Sequence, residues 1–93
     1  MRKIRQVKAF DRDYRRELKG RYGDTLAGLM HPILDALVVD TPLPARLRDH
    51  GLTGNWQGYR DCHVKPDLVL IYRKIDDDRL ELHRLGSHSE LRL

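Results

Sequence analysis

His50, His63, Asp67 and His88 are residue types that move protons near neutral pH, and they fall beside the ends of three successive strand-like segments. A neutral imidazole accepts a proton and an imidazolium donates one close to pH 7, so two histidines can serve one reaction as base and acid. Phosphodiester cleavage in RNA needs that pair. The base takes the ribose 2′-OH proton, the oxygen attacks the adjacent phosphorus, and the acid protonates the departing 5′ oxygen. Each such group contributes about 10²- to 10⁴-fold. Negative charge meanwhile grows on the nonbridging oxygens, and Arg60 or Arg73 could meet it with directed guanidinium donors. The residues alone leave other roles open. Asp67 either joins in proton transfer or bonds hairpin amides beside Pro66. The two arginines read equally as solvated cations of a sheet surface, and each histidine taken singly as a solvated side chain. His63, Asp67 and His88 also carry metal-ligating donors. The sequence holds no HExxH, no CxxC pair and no EF-hand loop, however, and attack by the substrate's own hydroxyl needs no metal or other cofactor.

For these side chains to meet, a compact sheet must gather them. Lys3 to Val7 reads as a first strand. Phe10, Tyr14, Leu18 and Tyr22 recur every four residues, which predicts a helix over 8–21. Its other faces, carrying Arg12, Arg15, Arg16 and Lys19 with Asp11, Asp13 and Glu17, read as a charged, mostly basic outer surface. A second apolar stripe from Leu26 to Val38 predicts another helix, capped at Asp24 or Thr25, and Pro32 inside it predicts a kink or a broken start near His31. The two helices pair as a hairpin. Beyond Thr41-Pro42-Leu43-Pro44 an irregular connection carries Asp49 and His50 as far as Gly54.

From Asn55 the period becomes two, with Gln57, Tyr59, Asp61 and His63 on one face and Trp56, Gly58, Arg60 and Cys62 on the other. Val64-Lys65-Pro66 turns this strand into Leu68 to Lys74, apolar on both faces and therefore central, and Asp76-Asp77-Asp78 leads into Arg79 to Leu85. The result is an α+β domain: an N-terminal strand, then a two-helix hairpin packed on one face of an antiparallel sheet, with the other face left to water or a ligand. Trp56 and Tyr59 either seal the sheet against the helices, the more usual use, or stack on an unpaired base. Cys62 reads as a small buried side chain, and His31 and His83 as structural or solvated.

A chain of 93 residues makes one domain, residues 1–93. Charged residues at 34% and hydrophobic ones at 40% describe a folding chain, and a net charge of +4 favours a polyanionic partner. The longest apolar run, Leu68 to Tyr72, is too short to cross a bilayer, and no signal-peptide pattern opens the chain. With a single cysteine, the expected setting is the cytoplasm, without a membrane partner.

The string LTGNWQGYRDCHVKPDLVLIYRK over 52–74, with LGSHSEL over 85–91, resembles the YafQ-type branch of the RelE superfamily, the toxins of bacterial toxin-antitoxin pairs. The resemblance extends more loosely to PLPARLRDH and the two amphipathic helices. It implies a microbial-RNase-like fold and a ribosome-dependent endoribonuclease that cuts messenger in the 30S A site. It also implies a cognate antitoxin, through whose complex alone DNA is bound. In this branch the DH histidine corresponds to His50, that of YRDCH to His63, the KPD aspartate to Asp67 and the GSH histidine to His88. The implied roles are Asp67 or His50 as general base, His88 as acid and His63 as a phosphate contact. Leu68 stands where some relatives carry an aromatic, and the tail Leu91-Arg92-Leu93 lacks another, so Arg92 is read as a phosphate contact. Two alternatives remain beside it: a non-nucleolytic gyrase inhibitor, as in the related ParE branch, and a binding module of an antitoxin repressor complex. A histidine-rich open face argues against the gyrase inhibitor.

Overall fold

Leu68 to Tyr72 are apolar on both faces, so the strand that carries them needs cover on each side. In the computed structural model, which describes residues 1–93, that strand is β4 (Leu68–Ile75), at the centre of a five-stranded sheet ordered β1-β5-β4-β3-β2. The other strands are β1 (Lys3–Gln6), β2 (His50–Gly51), β3 (Arg60–Lys65) and β5 (Arg79–Gly86), and the helices are α1 (Lys8–Leu18), α2 (Leu26–Val38) and α3 (His88–Leu91). Strands β2 to β5 form an antiparallel meander. β1 joins the outer edge of β5 in parallel, Lys3 opposite Arg79, so the sheet is mixed where the sequence reading expected it antiparallel. No helix is long and apolar enough to cross a membrane.

Alternation divides the apolar residues between two faces. Leu68, Leu70 and Tyr72, with Leu80, Leu82 and Leu85, meet Phe10 of α1 and Leu26, Met30, Ile33 and Leu37 of α2 in one core. Val69 and Ile71 point the other way, where Leu91 of α3 covers them with the half-buried Leu52, Trp56 and Tyr59. Each fully buried aliphatic side chain contributes about 1.5–3 kcal/mol, and the smaller cluster fastens α3 to the face opposite the long helices.

Several local expectations change. α1 stops at Leu18 because the chain folds back over its end: a Cβ on Gly23 would stand 2.3 Å from the Leu18 carbonyl oxygen. Leu18 itself is 45% exposed rather than part of the apolar face. α2 runs unbroken through Pro32. The proline removes one hydrogen bond to Gly28, whose backbone is exposed to water, while Met30, Ile33 and Leu37 hold both halves of the helix on the core. The connection after Pro44 contains β2, and the strand expected from Asn55 begins only at Arg60, behind a 3₁₀ turn at Gly54–Trp56.

Asp13, expected on the outer charged surface, is fully buried. β1 ends with Gln6 opposite Leu82, which leaves the far half of β5 without a strand on that edge. α1 takes its place. Asp13 Oδ2 accepts the Leu85 N–H at 3.0 Å and the Arg84 Nε at 2.7 Å, while Arg16 donates to the Leu85 carbonyl at 2.8 Å and to Asp13 at 3.0 Å. Burial opposes ionisation of Asp13, but the Arg84 and Leu85 hydrogen bonds and the charges of Arg84 and Arg16 outweigh it and hold its pKa below the ordinary value. Asp13→Ala is therefore expected to cost about 3 kcal/mol in urea denaturation, because it strands the buried Leu85 amide and the half-buried Arg84 guanidinium. Asp13→Asn, which keeps an acceptor for Leu85, is expected to cost less, and equal losses would refute the part assigned to the amide.

Candidate active site

Each of the four predicted site residues is fixed by a different local device, and all four stand on the face opposite the long helices. β2 pairs with β3 so that His50 lies across from Asp61. Just before it, Arg48 adopts a left-handed conformation, φ 51°, and its carbonyl meets His50 Nδ1 at 2.7 Å. A carbonyl only accepts, so Nδ1 carries the proton and Nε2 of the neutral ring is left with its lone pair. His63 lies two residues beyond Asp61 on the same strand face, with its ring centroid 6.5 Å from that of His50 and 5.0 Å from that of His88. His88 is the first residue of α3, whose start is held by a reciprocal pair of bonds between Ser87 and Glu90.

Asp67 sits in the two-residue turn between β3 and β4. Its Oδ1 accepts from both the backbone N–H and Nδ1 of His88, each at 3.3 Å. The hydrogen bond from the His88 ring is the chief cause of an Asp67 pKa below the ordinary carboxylate value. A carboxylate so held is a weak base and a good orienting group. The resemblance left Asp67 and His50 both open as the general base; the geometry pairs Asp67 with His88.

Asp61 was not among the predicted residues, and it lies beneath the three histidines with 2% of its surface exposed. The period-two pattern that put it on the same face as His63 was the available signal. Its Oδ1 accepts no hydrogen bond. His50 Nδ1 approaches it at 3.2 Å, but the proton there points to the Arg48 carbonyl. Burial raises the Asp61 pKa, and the charges of His50, His63 and His88 pull against that rise. For His63 burial also comes first and lowers the pKa; Asp61 opposes this, while His88, Arg48 and His50 add to it, and the net shift is downward.

The predicted cations divide. Arg92 lines a cleft of about 920 Å³ together with His50, His63 and His88. Arg60 does not, because alternation turns it to the opposite face, where it binds Asp49 at 3.3 Å beside the Tyr72 hydroxyl, itself a donor to Asp49. Arg73 is held by buried Glu81 at 3.1 Å and lies over the Tyr59 ring at 5.0 Å. Neither arginine reaches the histidines. A second cleft of about 580 Å³ borders His63 and His88 from the other side and carries Arg46, Arg48 and Lys65, none of them singled out from sequence. Trp56 does not seal the sheet against the helices either. It lines the first cleft, edge-on to Tyr59 at a centroid distance of 5.2 Å.

The remaining candidates stay outside the site. Cys62 is buried, which pushes its thiol up to about 12. His31 is exposed and contacts Asp35, and His83 contacts Glu81. No group of three or more histidine, cysteine or carboxylate side chains is disposed to hold a metal ion.

A mixed sheet with two long helices on one face is also the architecture of solved bacterial toxins. The toxin YafQ of Escherichia coli BL21(DE3) superposes with a TM-score of 0.84 at 36% identity, covering 98% of both chains. A copper-bound mutant toxin from Helicobacter pylori gives 0.87 at 38% identity, over 98% of this chain and 99% of that one. Among curated proteins, the putative toxin YafQ of Haemophilus influenzae is 39% identical over 95 residues, 98% of this chain and 92% of the relative. The mRNA interferase toxin YafQ of Escherichia coli K12 is 54% identical over 50 residues, 54% of this chain and 53% of the relative. The model of the YafQ family, bacterial toxins of type II toxin-antitoxin systems, matches residues 2–93. The chain belongs to that family.

The unsatisfied Asp61 yields a prediction whose sign follows from its raised pKa. A carboxyl group with a folded pKa above its unfolded value opposes folding once the pH exceeds both. Asp61→Asn is thus expected to leave stability at pH 8 equal to or above that of the unmodified chain, and a clear loss in urea denaturation would contradict the sign. The same change is expected to lower the His63 pKa further in an NMR titration, since the carboxylate opposing its depression is gone. A His63 titration that did not move would contradict the electrostatic link.

Proposed function

We propose that this chain is a ribosome-dependent endoribonuclease that enters the 30S A site and cuts messenger by acid-base transesterification, until a cognate antitoxin sequesters it. The observation that carries the reading is the row of three imidazoles along one cleft, each outer ring with Nδ1 bound to an acceptor and Nε2 left for substrate. His50 is the base, its tautomer set by the Arg48 carbonyl. His88 is the acid, and Asp67 orients its ring and stabilises the imidazolium. His63, between them, contacts the nonbridging oxygens, with Arg92 at the rim to offset their charge. The nucleophile is the substrate's own 2′-OH, so this route calls for no metal and no other cofactor.

The relatives support both halves of the proposal. The Escherichia coli proteins are mRNA interferase toxins by name, and one solved structure is the DinJ-YafQ complex, matched here at a TM-score of 0.80 and 34% identity. That likeness supports messenger and an antitoxin as partners of this chain; the ribosome, a cytoplasmic setting and DNA reached only through the antitoxin complex complete the proposal. The exposed Arg12 and Arg15 of α1, with Lys19 just past its end, suit an acidic antitoxin segment. The gyrase-inhibitor alternative leaves the imidazole row without a role.

His50→Ala and His88→Ala are each expected to slow messenger cutting by about 10²- to 10⁴-fold, read by mapping messenger ends in programmed ribosomes, with unchanged circular dichroism. One imidazole must be neutral and the other protonated, so the rate is expected to fall on both sides of an optimum pH, with the acid-side fall missing in His50→Ala. Inhibition of supercoiling by DNA gyrase with intact messenger would overturn the reading.

A further inference from the structure

His63 and His88 line both clefts at once, which makes them a ridge with a different environment on either side. The first cleft holds His50, Trp56 and Leu91, the carboxylates of Asp61 and Glu90, and two arginines, Arg84, which Asp13 binds, and Arg92 at the rim. The second holds three cations and no carboxylate. Arg46, Arg48 and Lys65 are all exposed. Leu47, 8% exposed, anchors the turn between the two arginines in the core, and Lys65 comes from the end of β3 across from it. By contrast Arg60, Arg73 and Arg84 are each bound to a carboxylate.

We infer that the messenger runs 5′ to 3′ from the aromatic cleft, over the His63–His88 ridge, into the cationic cleft, where Arg46, Arg48 and Lys65 hold the phosphates 3′ of the cut. The inference rests on the nuclease reading and follows from the stereochemistry of the reaction. In transesterification the 2′ oxygen that attacks belongs to the nucleotide 5′ of the cut, and the departing 5′ oxygen belongs to the nucleotide 3′ of it. The new P–O2′ bond forms opposite the P–O5′ bond that breaks, so base and acid stand at opposite ends of the phosphorus. The proton leaving the 2′-OH goes to His50, which borders the first cleft alone. The proton reaching the 5′ oxygen comes from His88, which borders both. The nucleotide that supplies the nucleophile therefore occupies the first cleft, where Trp56 offers its base a stacking surface. The leaving strand emerges over His88 among three cations, two of them guanidiniums suited to bidentate phosphate contact.

The test uses programmed ribosomes whose messenger carries one neutral methylphosphonate linkage, either two positions 3′ or two positions 5′ of the cut. The chain is compared with its Arg46→Gln/Lys65→Gln variant. Arg48 is left in place because its carbonyl seats His50. In the unmodified chain the 3′ neutral linkage is expected to slow cutting about tenfold, as expected for loss of a charged hydrogen bond. In the variant the same linkage is expected to make no further difference, while the 5′ linkage affects both proteins equally. If the 5′ linkage is the one whose effect vanishes in the variant, the strand runs the other way. If both effects persist and multiply with the substitutions, the cationic cleft holds no messenger phosphate. In either case cutting by the unmodified chain leaves the nuclease reading standing. Failure to cut any messenger removes that reading and the polarity together.

Discussion

A strand that outruns its neighbour leaves backbone donors and acceptors that must be met by something else. β5 outruns β1, and the substitute is a buried ion cluster on α1, in which Asp13 and Arg16 bind the N–H and carbonyl of Leu85 in place of a strand. The candidate active site depends on that substitution. Next to Leu85, Gly86 is so closely surrounded that a Cβ there would stand 2.9 Å from Arg16 Nη2 and 3.1 Å from Glu90 Oε1. Arg16 also pairs with Glu90 at 3.3 Å, and Glu90 closes the start of α3 with Ser87. Helix α1, the end of β5 and α3 are thus drawn around one glycine, two residues before His88. The ring proposed to donate a proton on one face is placed by a salt-bridge cluster that helix α1 brings to the edge of the sheet.

The buried acids show two opposite electrostatic designs. Asp13 and Glu81 are surrounded by cations: Glu81 takes His83, Arg5 and Arg73, with the His83 hydrogen bond the largest influence, and its pKa falls from 4.5 to about 2. A pKa depressed on folding stabilises the fold above the ordinary carboxylate value and ceases to do so as the pH falls through the folded one, so Glu81 lends stability that disappears between about pH 4.5 and about pH 2. Asp61 is left without a hydrogen-bonding partner at Oδ1, with imidazoles as its nearest counter-charges. Its raised pKa works against folding at neutral pH. A group that weakens the fold yet sits under the catalytic candidates marks a place where local stability gives way to site electrostatics.

The same contrast explains what was legible in the sequence. Strands β4 and β5, the hairpin turn before β4 and both helices follow from apolar period and turn residues, and short local strings hold His63 with Asp67, His50 and His88. β2 is too short to have a period, so His50 was placed in a loop although a two-residue ladder with β3 fixes it against Asp61. Asp13 looked like one charge among many on α1, since helical period does not announce that a neighbouring strand ends early. Arg60 and Arg73 stand near the histidines in sequence, but which cations remain free depends on which carboxylates the fold brings beside them. Asp49 and Glu81 engage those two.

Counting bound cations also changes the meaning of the net charge. The excess of +4 is small when spread over 93 residues. In the folded chain Arg5, Arg16, Arg73 and Arg84 are held by buried acids, while Arg46, Arg48 and Lys65 share a cleft that no carboxylate lines. Around the imidazole row three such cations line the second cleft, against Arg92 alone in the first. Long-range attraction to a polyanion is insensitive to sequence and draws the strand towards the second cleft. Discrimination among bases needs contact with their faces and edges, and the side chains that offer such contact, Trp56 and Leu52, belong to the other cleft. On the proposed nuclease reading, attraction and discrimination fall on opposite sides of the bond to be cut, with the proposed proton-transfer groups between them. Changes in the aromatic cleft can then alter which sequence is cut while leaving largely intact the field that brings the strand in.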